Sequence, residues 1–95
     1  MPLSLPPTLT LPQATETVSR LRAGLAAAPA GDAFAVDAST LVDFDTSALA
    51  VLLDGQRLAR ERGVPLLVQG APAKLRQLAA LYGVEELLGL QGSVA

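Results

Sequence analysis

The sequence alternates between segments with helical periodicity and short runs of apolar residues, and this alternation constrains the fold more than any other feature. Helical patterns cover residues 13–29, 46–62 and 72–83. Apolar runs typical of strands lie between them, at residues 33–39 and 64–70. Such alternation predicts an α/β fold in which helices pack on a small mixed or mostly parallel β-sheet.

The two ends of the chain carry weaker patterns. Residues 1–11 are rich in proline, which suits an edge strand or two very short strands. "VEELLGL", residues 84–90, predicts a short strand or a helical turn, and we expect residues 90–95 to be frayed. Because 95 residues suffice for one core of modest size, we assign residues 1–95 to a single domain with three to four helices.

Composition excludes several classes of function. The chain has no cysteine and no histidine, which removes disulfides, thiol nucleophiles, imidazole bases and ordinary zinc sites. Its net charge is −2, and no basic run is present that would neutralise the phosphates of a nucleic acid. We therefore expect a protein that is not an enzyme, with no catalytic residue, metal, cofactor or nucleic-acid partner.

The N-terminal sequence also bears on location. "MPLSLPPTLTL" has no basic segment and is interrupted by prolines, so it lacks the pattern of a secretory signal. No apolar run approaches the ~20 residues that are needed to span a bilayer. These features predict a cytoplasmic protein that does not insert into the membrane.

The helix predicted at residues 46–62 has the most specific pattern. Asp45 is a favoured N-cap residue, and Gly63 is a favoured residue just beyond a helix C-terminus. At about 100° per residue, the inward face is centred on Leu52 and also contains Ala48, Leu49, Gly55, Gln56 and Ala59. The opposite side, which should face away from the sheet, contains Ala50, Asp54, Arg57 and Glu61, with Thr46 and Ser47 beside its N-terminal end.

The adjacent hydroxyls of Thr46 and Ser47 admit three interpretations. They are ordinary residues of a first turn that Asp45 caps. Alternatively, each is a candidate phosphorylation site, because a phosphate suits the free N–H groups of a helix N-terminus. In the third interpretation they form hydrogen bonds with a partner protein docked over this turn. The residues alone leave all three open.

Two further positions have candidate roles. Asp37 lies near the carboxyl end of an apolar strand, where ligand crevices of α/β sheets tend to form. We favour a structural role for it, as a carboxylate that caps the following loop through backbone N–H groups, and we place Asp43 in a solvated loop. In the third helix, the inner side is predicted to contain Leu75, Leu78, Leu81 and Tyr82, with Tyr82 half-buried.

Residues 34–88 resemble a STAS domain, the family that includes bacterial anti-anti-sigma factors and the cytoplasmic domains of sulfate-type anion transporters. The shared pattern begins with an apolar strand that ends in D-x-S, here Asp37 to Ser39. A short loop follows, and then D-[ST]-[SG]-[GA]-L opens a helix at Asp45. The pattern then continues with R-G, a second apolar strand and a Leu-rich helix.

Within that family, the sequence is particularly similar to the STAS subunit of the maintenance-of-lipid-asymmetry (Mla) phospholipid transporter. The similarity lies in D-T-x-x-L-A at residues 45–50, in Q-G at residues 69–70 and in "LAALYGV" at residues 78–84. It implies a non-enzymatic subunit that docks on the cytoplasmic ATPase of an ABC transporter, peripheral to the inner membrane. The resemblance makes Thr46 the key contact, and the helical wheel adds Ser47, Ala50, Asp54 and Arg57.

Ser47 supports an alternative within the same family. It stands where the Mla-type motif tends to have glycine and where anti-sigma-factor antagonists have their phosphorylated serine. The alternative function is therefore an anti-anti-sigma factor whose partner, an anti-sigma factor kinase, phosphorylates Ser47.

Overall fold

The computed structural model describes residues 3–28 and 32–88, and within them helices and strands alternate in an α/β fold, as predicted. The strands are β1 (Leu3–Ser4), β2 (Thr8–Leu9), β3 (Phe34–Asp37), β4 (Asp43–Phe44) and β5 (Leu66–Gln69). The helices are α1 (Leu11–Ala27), α2 (Thr46–Arg62), α3 (Ala73–Leu81) and α4 (Glu85–Leu88). The expectation that residues 90–95 are frayed lies outside the described residues.

The strands form two small parallel sheets instead of the one sheet that was expected. One has the order β1-β3-β5, with Phe34 opposite Leu66 in its longer pairing, and the other joins β2 to β4. The N-terminal segment divides between the two sheets at Pro6 and Pro7, which lack the N–H groups that a continuous strand would donate. Two very short strands are one of the two alternatives that the sequence predicted there.

Strand β4 corrects the interpretation of Asp43 as part of a loop. Its side chain is exposed, as expected, but its backbone pairs with Thr8 of β2. The carbonyl of Pro7 accepts hydrogen bonds from the N–H groups of Val42, at 2.8 Å, and Asp43, at 3.0 Å. A strand of two residues has no detectable periodicity, so only the tertiary pairing identifies it.

Helix α1 begins at Leu11, two residues before the predicted start, because local side chains cap it there. The Gln13 side chain accepts hydrogen bonds from the backbone N–H of Thr10, at 3.0 Å, and from the Thr10 hydroxyl, at 2.8 Å. The helix packs on α2, and Leu21 and Leu25 enter the core.

Helix α2 lies at the centre of the fold, in contact with α1, β5, α3 and α4. Its bounds are those predicted, and Gly63 ends it in the left-handed conformation at φ 67°. Leu52 is fully buried, which confirms the predicted inward face. On the same face, the Gln56 side chain donates hydrogen bonds to the carbonyls of Leu66, at 3.1 Å, and Leu88, at 2.8 Å, and so joins α2 to β5 and α4.

The C-terminal end of α3 differs from the prediction. Leu75 and Ala79 are buried, but Leu81 is 76% exposed and Tyr82 is 58% exposed, so the prediction that these two lie on the inner side is wrong. The helix ends at Leu81, and Gly83, at φ 70°, turns the chain into α4. The segment "VEELLGL" therefore begins with a helical turn, one of its two predicted alternatives.

Candidate functional site

The N-terminus of α2 is positioned by β4 and fixed by its cap. The chain leaves the β2–β4 sheet at Phe44, and the Asp45 carboxylate then accepts a hydrogen bond from the backbone N–H of Ser47 at 2.8 Å. This bond satisfies one of the free N–H groups of the first turn, and the carboxylate charge opposes the positive end of the helix dipole. The predicted capping role of Asp45 is confirmed.

The two hydroxyl-bearing residues of this turn differ in accessibility. Thr46 is exposed, whereas Ser47 is half-buried. Among the described side chains, those of residues 3–28, 32–84 and 87–88, neither hydroxyl has a hydrogen-bond partner. Thr46 is the more accessible of the two to a docking protein.

The outward stripe of α2 continues from Thr46 along the helix. Ala50 and Arg57 are exposed, as the predicted wheel requires, whereas Asp54 is half-buried. The Arg57 guanidinium contacts the carboxylates of Asp54, at 2.6 Å, and Glu61, at 3.0 Å. The hydrogen bond from Arg57 to Asp54, with the negative charges of Asp54 and Glu61, raises the pKa of Arg57. Arg57 and Glu61 are mostly exposed to solvent and Asp54 is partly exposed, so these pairs add little to stability.

The outward stripe of α2 lies between two open grooves, and Ala50 and Leu53 line both of them. The groove on the α1 side contains the charged side chains of Arg22, Asp54 and Arg57. The groove on the other side is lined by Thr46, Leu49, Ala50, Leu53, Tyr82 and Val84. Of the five proposed contact residues, only Ser47 lines neither groove. The other four each line at least one groove: Thr46, Ala50, Asp54 and Arg57.

Tyr82 is the candidate contact that the sequence analysis missed. Its ring lines the same groove as Thr46, although the two residues are far apart in the chain. The available signal was that Tyr82 is the only tyrosine and that aromatic residues are enriched in protein interfaces. A Leu-rich helical pattern around it outweighed that signal and led to its assignment to the core.

Asp37 has the structural role that the sequence favoured. Its carboxylate accepts hydrogen bonds from the backbone N–H of Ser39, at 2.9 Å, and from the Ser39 hydroxyl, at 2.6 Å. These two bonds stabilise the charged form and lower the pKa of Asp37. The side chain holds the loop that follows β3 and lines neither groove beside α2.

The described residues were also searched for a metal site and for a membrane-spanning segment. Among the described side chains, those of residues 3–28, 32–84 and 87–88, there is no group of three or more acidic residues that could hold a metal ion. In the same part of the chain, no helix combines the length and the apolar character needed to cross a membrane.

Comparison with known families identifies a match. A family model described as "Mlab, STAS domain" matches residues 8–90, which is most of the chain and includes β2 to β5, all four helices and the residues of both grooves. No curated protein matches the sequence.

Proposed function

This chain belongs to the STAS domain family, and from that membership we propose that it is a non-enzymatic subunit that docks on the cytoplasmic ATPase of an Mla-type phospholipid ABC transporter. STAS membership is consistent with a role in protein–protein interaction. The choice of an Mla-type partner rests on the similarity of residues 45–50 and 78–84 to the STAS subunit of that transporter, and the name Mlab in the matched family's description supports it.

The observation that carries the proposal is the exposure of Thr46 on a rigidly positioned helix end. Asp45 caps the turn, and Leu52 anchors the opposite face in the core, so α2 presents Thr46 without rearrangement. A preformed contact of this kind avoids much of the entropy cost of ordering a loop on binding. The threonine hydroxyl then forms a hydrogen bond whose loss in a desolvated interface costs about 1–3 kcal/mol.

The test is co-purification of the chain with the ATPase subunit of the Mla-type transporter from the same organism. We expect Thr46→Glu to abolish co-purification, because the longer, charged side chain would be buried against the partner without a counter-charge. The fold should survive, since an acidic residue in the first turn of a helix is favourable.

Arg60→Gln is the matched control for Thr46→Glu. Each substitution lowers the net charge of −2 by one unit, but Arg60 is exposed near the other end of α2, about 20 Å from Thr46 at 1.5 Å per residue. We expect the Arg60 variant to co-purify like the wild type. Co-purification of Thr46→Glu at the wild-type level would contradict the proposed contact.

The anti-anti-sigma alternative makes a different prediction for Ser47. Its hydroxyl has no hydrogen-bond partner within the described residues, so it is chemically available, but its side chain is half-buried. A phosphate there would add about −1.5 to −2 charge close to the Asp45 carboxylate, which already occupies the N–H of Ser47. Incubation with anti-sigma factor kinases, followed by mass spectrometry, tests this alternative. Phosphate located at Ser47, together with no binding to the ATPase, would favour it over the transporter role.

A further inference from the structure

We draw no further inference here: the strongest candidate, the open groove between α1 and α2 that contains Arg22, Asp54 and Arg57, carries no proposal, because the structure of the described residues does not show what covers it.

Discussion

Replacing Gln56 tests directly how the elements of the fold are held together, because its side chain connects three of them, α2, β5 and α4. Its Nε2 donates to the carbonyls of Leu66 in β5 and Leu88 in α4, at 3.1 and 2.8 Å. Each such bond contributes about 0.5–1.5 kcal/mol net. Gln56→Leu keeps a similar shape, removes both donors, and leaves two carbonyls without these partners. We expect it to lower the free energy of unfolding by about 2 kcal/mol.

Urea denaturation followed by circular dichroism measures this loss. A chain of this size has a free energy of unfolding of about 5–14 kcal/mol, and with a urea dependence of about 1–3 kcal/mol/M the midpoint should fall by roughly 1 M. Gln77→Leu is the matched control, because Gln77 is exposed on α3 and has no side-chain hydrogen bond within the described residues. If Gln56→Leu unfolds within about 0.5 kcal/mol of the wild type, the argument that these bonds hold α4 and β5 on α2 is refuted.

Gln56→Glu adds a dependence on pH that a simple change of packing would not show. The charged carboxylate would face two carbonyl oxygens, which disfavours the charged form and raises the pKa of the glutamate above its unfolded value of about 4.3. A raised folded-state pKa means that the variant is least stable, relative to the wild type, above that pKa. The difference should shrink as the pH falls towards the unfolded value, where the protonated acid can donate one hydrogen bond.

Two further predictions concern the ends of elements. Ser39→Ala should raise the pKa of Asp37 towards its ordinary value, since the Ser39 hydroxyl is the larger cause of its lowering; NMR titration of the carboxyl group measures this, and an unchanged pKa would contradict it. In the wild type this lowered pKa stabilises the fold above the unfolded pKa of Asp37, and the contribution is lost as the pH falls through the folded value. Gly63→Ala should destabilise the protein by about 1 kcal/mol, because φ is 67° there and alanine disfavours this left-handed conformation. An added Cβ meets no neighbouring atom, so no steric clash adds to that cost. A urea midpoint equal to that of the wild type would show that the left-handed turn does not disfavour alanine.

The sequence predicted α2 and its surroundings well because the signals there are local. Asp45 and Gly63 mark the two ends of the helix, and the spacing of apolar residues identifies Leu52 as inward-facing. Caps and helical periodicity depend on residues within a few positions of one another, so they can be recognised without the tertiary structure. The contact role of Thr46 stays a prediction, but its exposure follows from the same local geometry.

Other features of the candidate site depend on residues that are distant in the chain. Leu81 and Tyr82 continue an apolar pattern, yet α3 is only nine residues long and its docking on α2 buries Leu75 and Ala79 instead. Which apolar residues of a short helix are buried depends on where its neighbours lie. The pattern could therefore not reveal that Tyr82 shares a groove with Thr46.

The sequence by itself determined the α/β class, the bounds of α2, its capped N-terminus and the face that enters the core. Only the tertiary structure decided that the short strands divide into two parallel sheets, that Gln56 joins β5 to α4, and that Tyr82 shares a groove with Thr46. The physical reason is the range of the interactions. Helix caps and periodicity act within a turn or two, whereas parallel strand pairing and the packing of helix ends bring together residues that no local pattern relates.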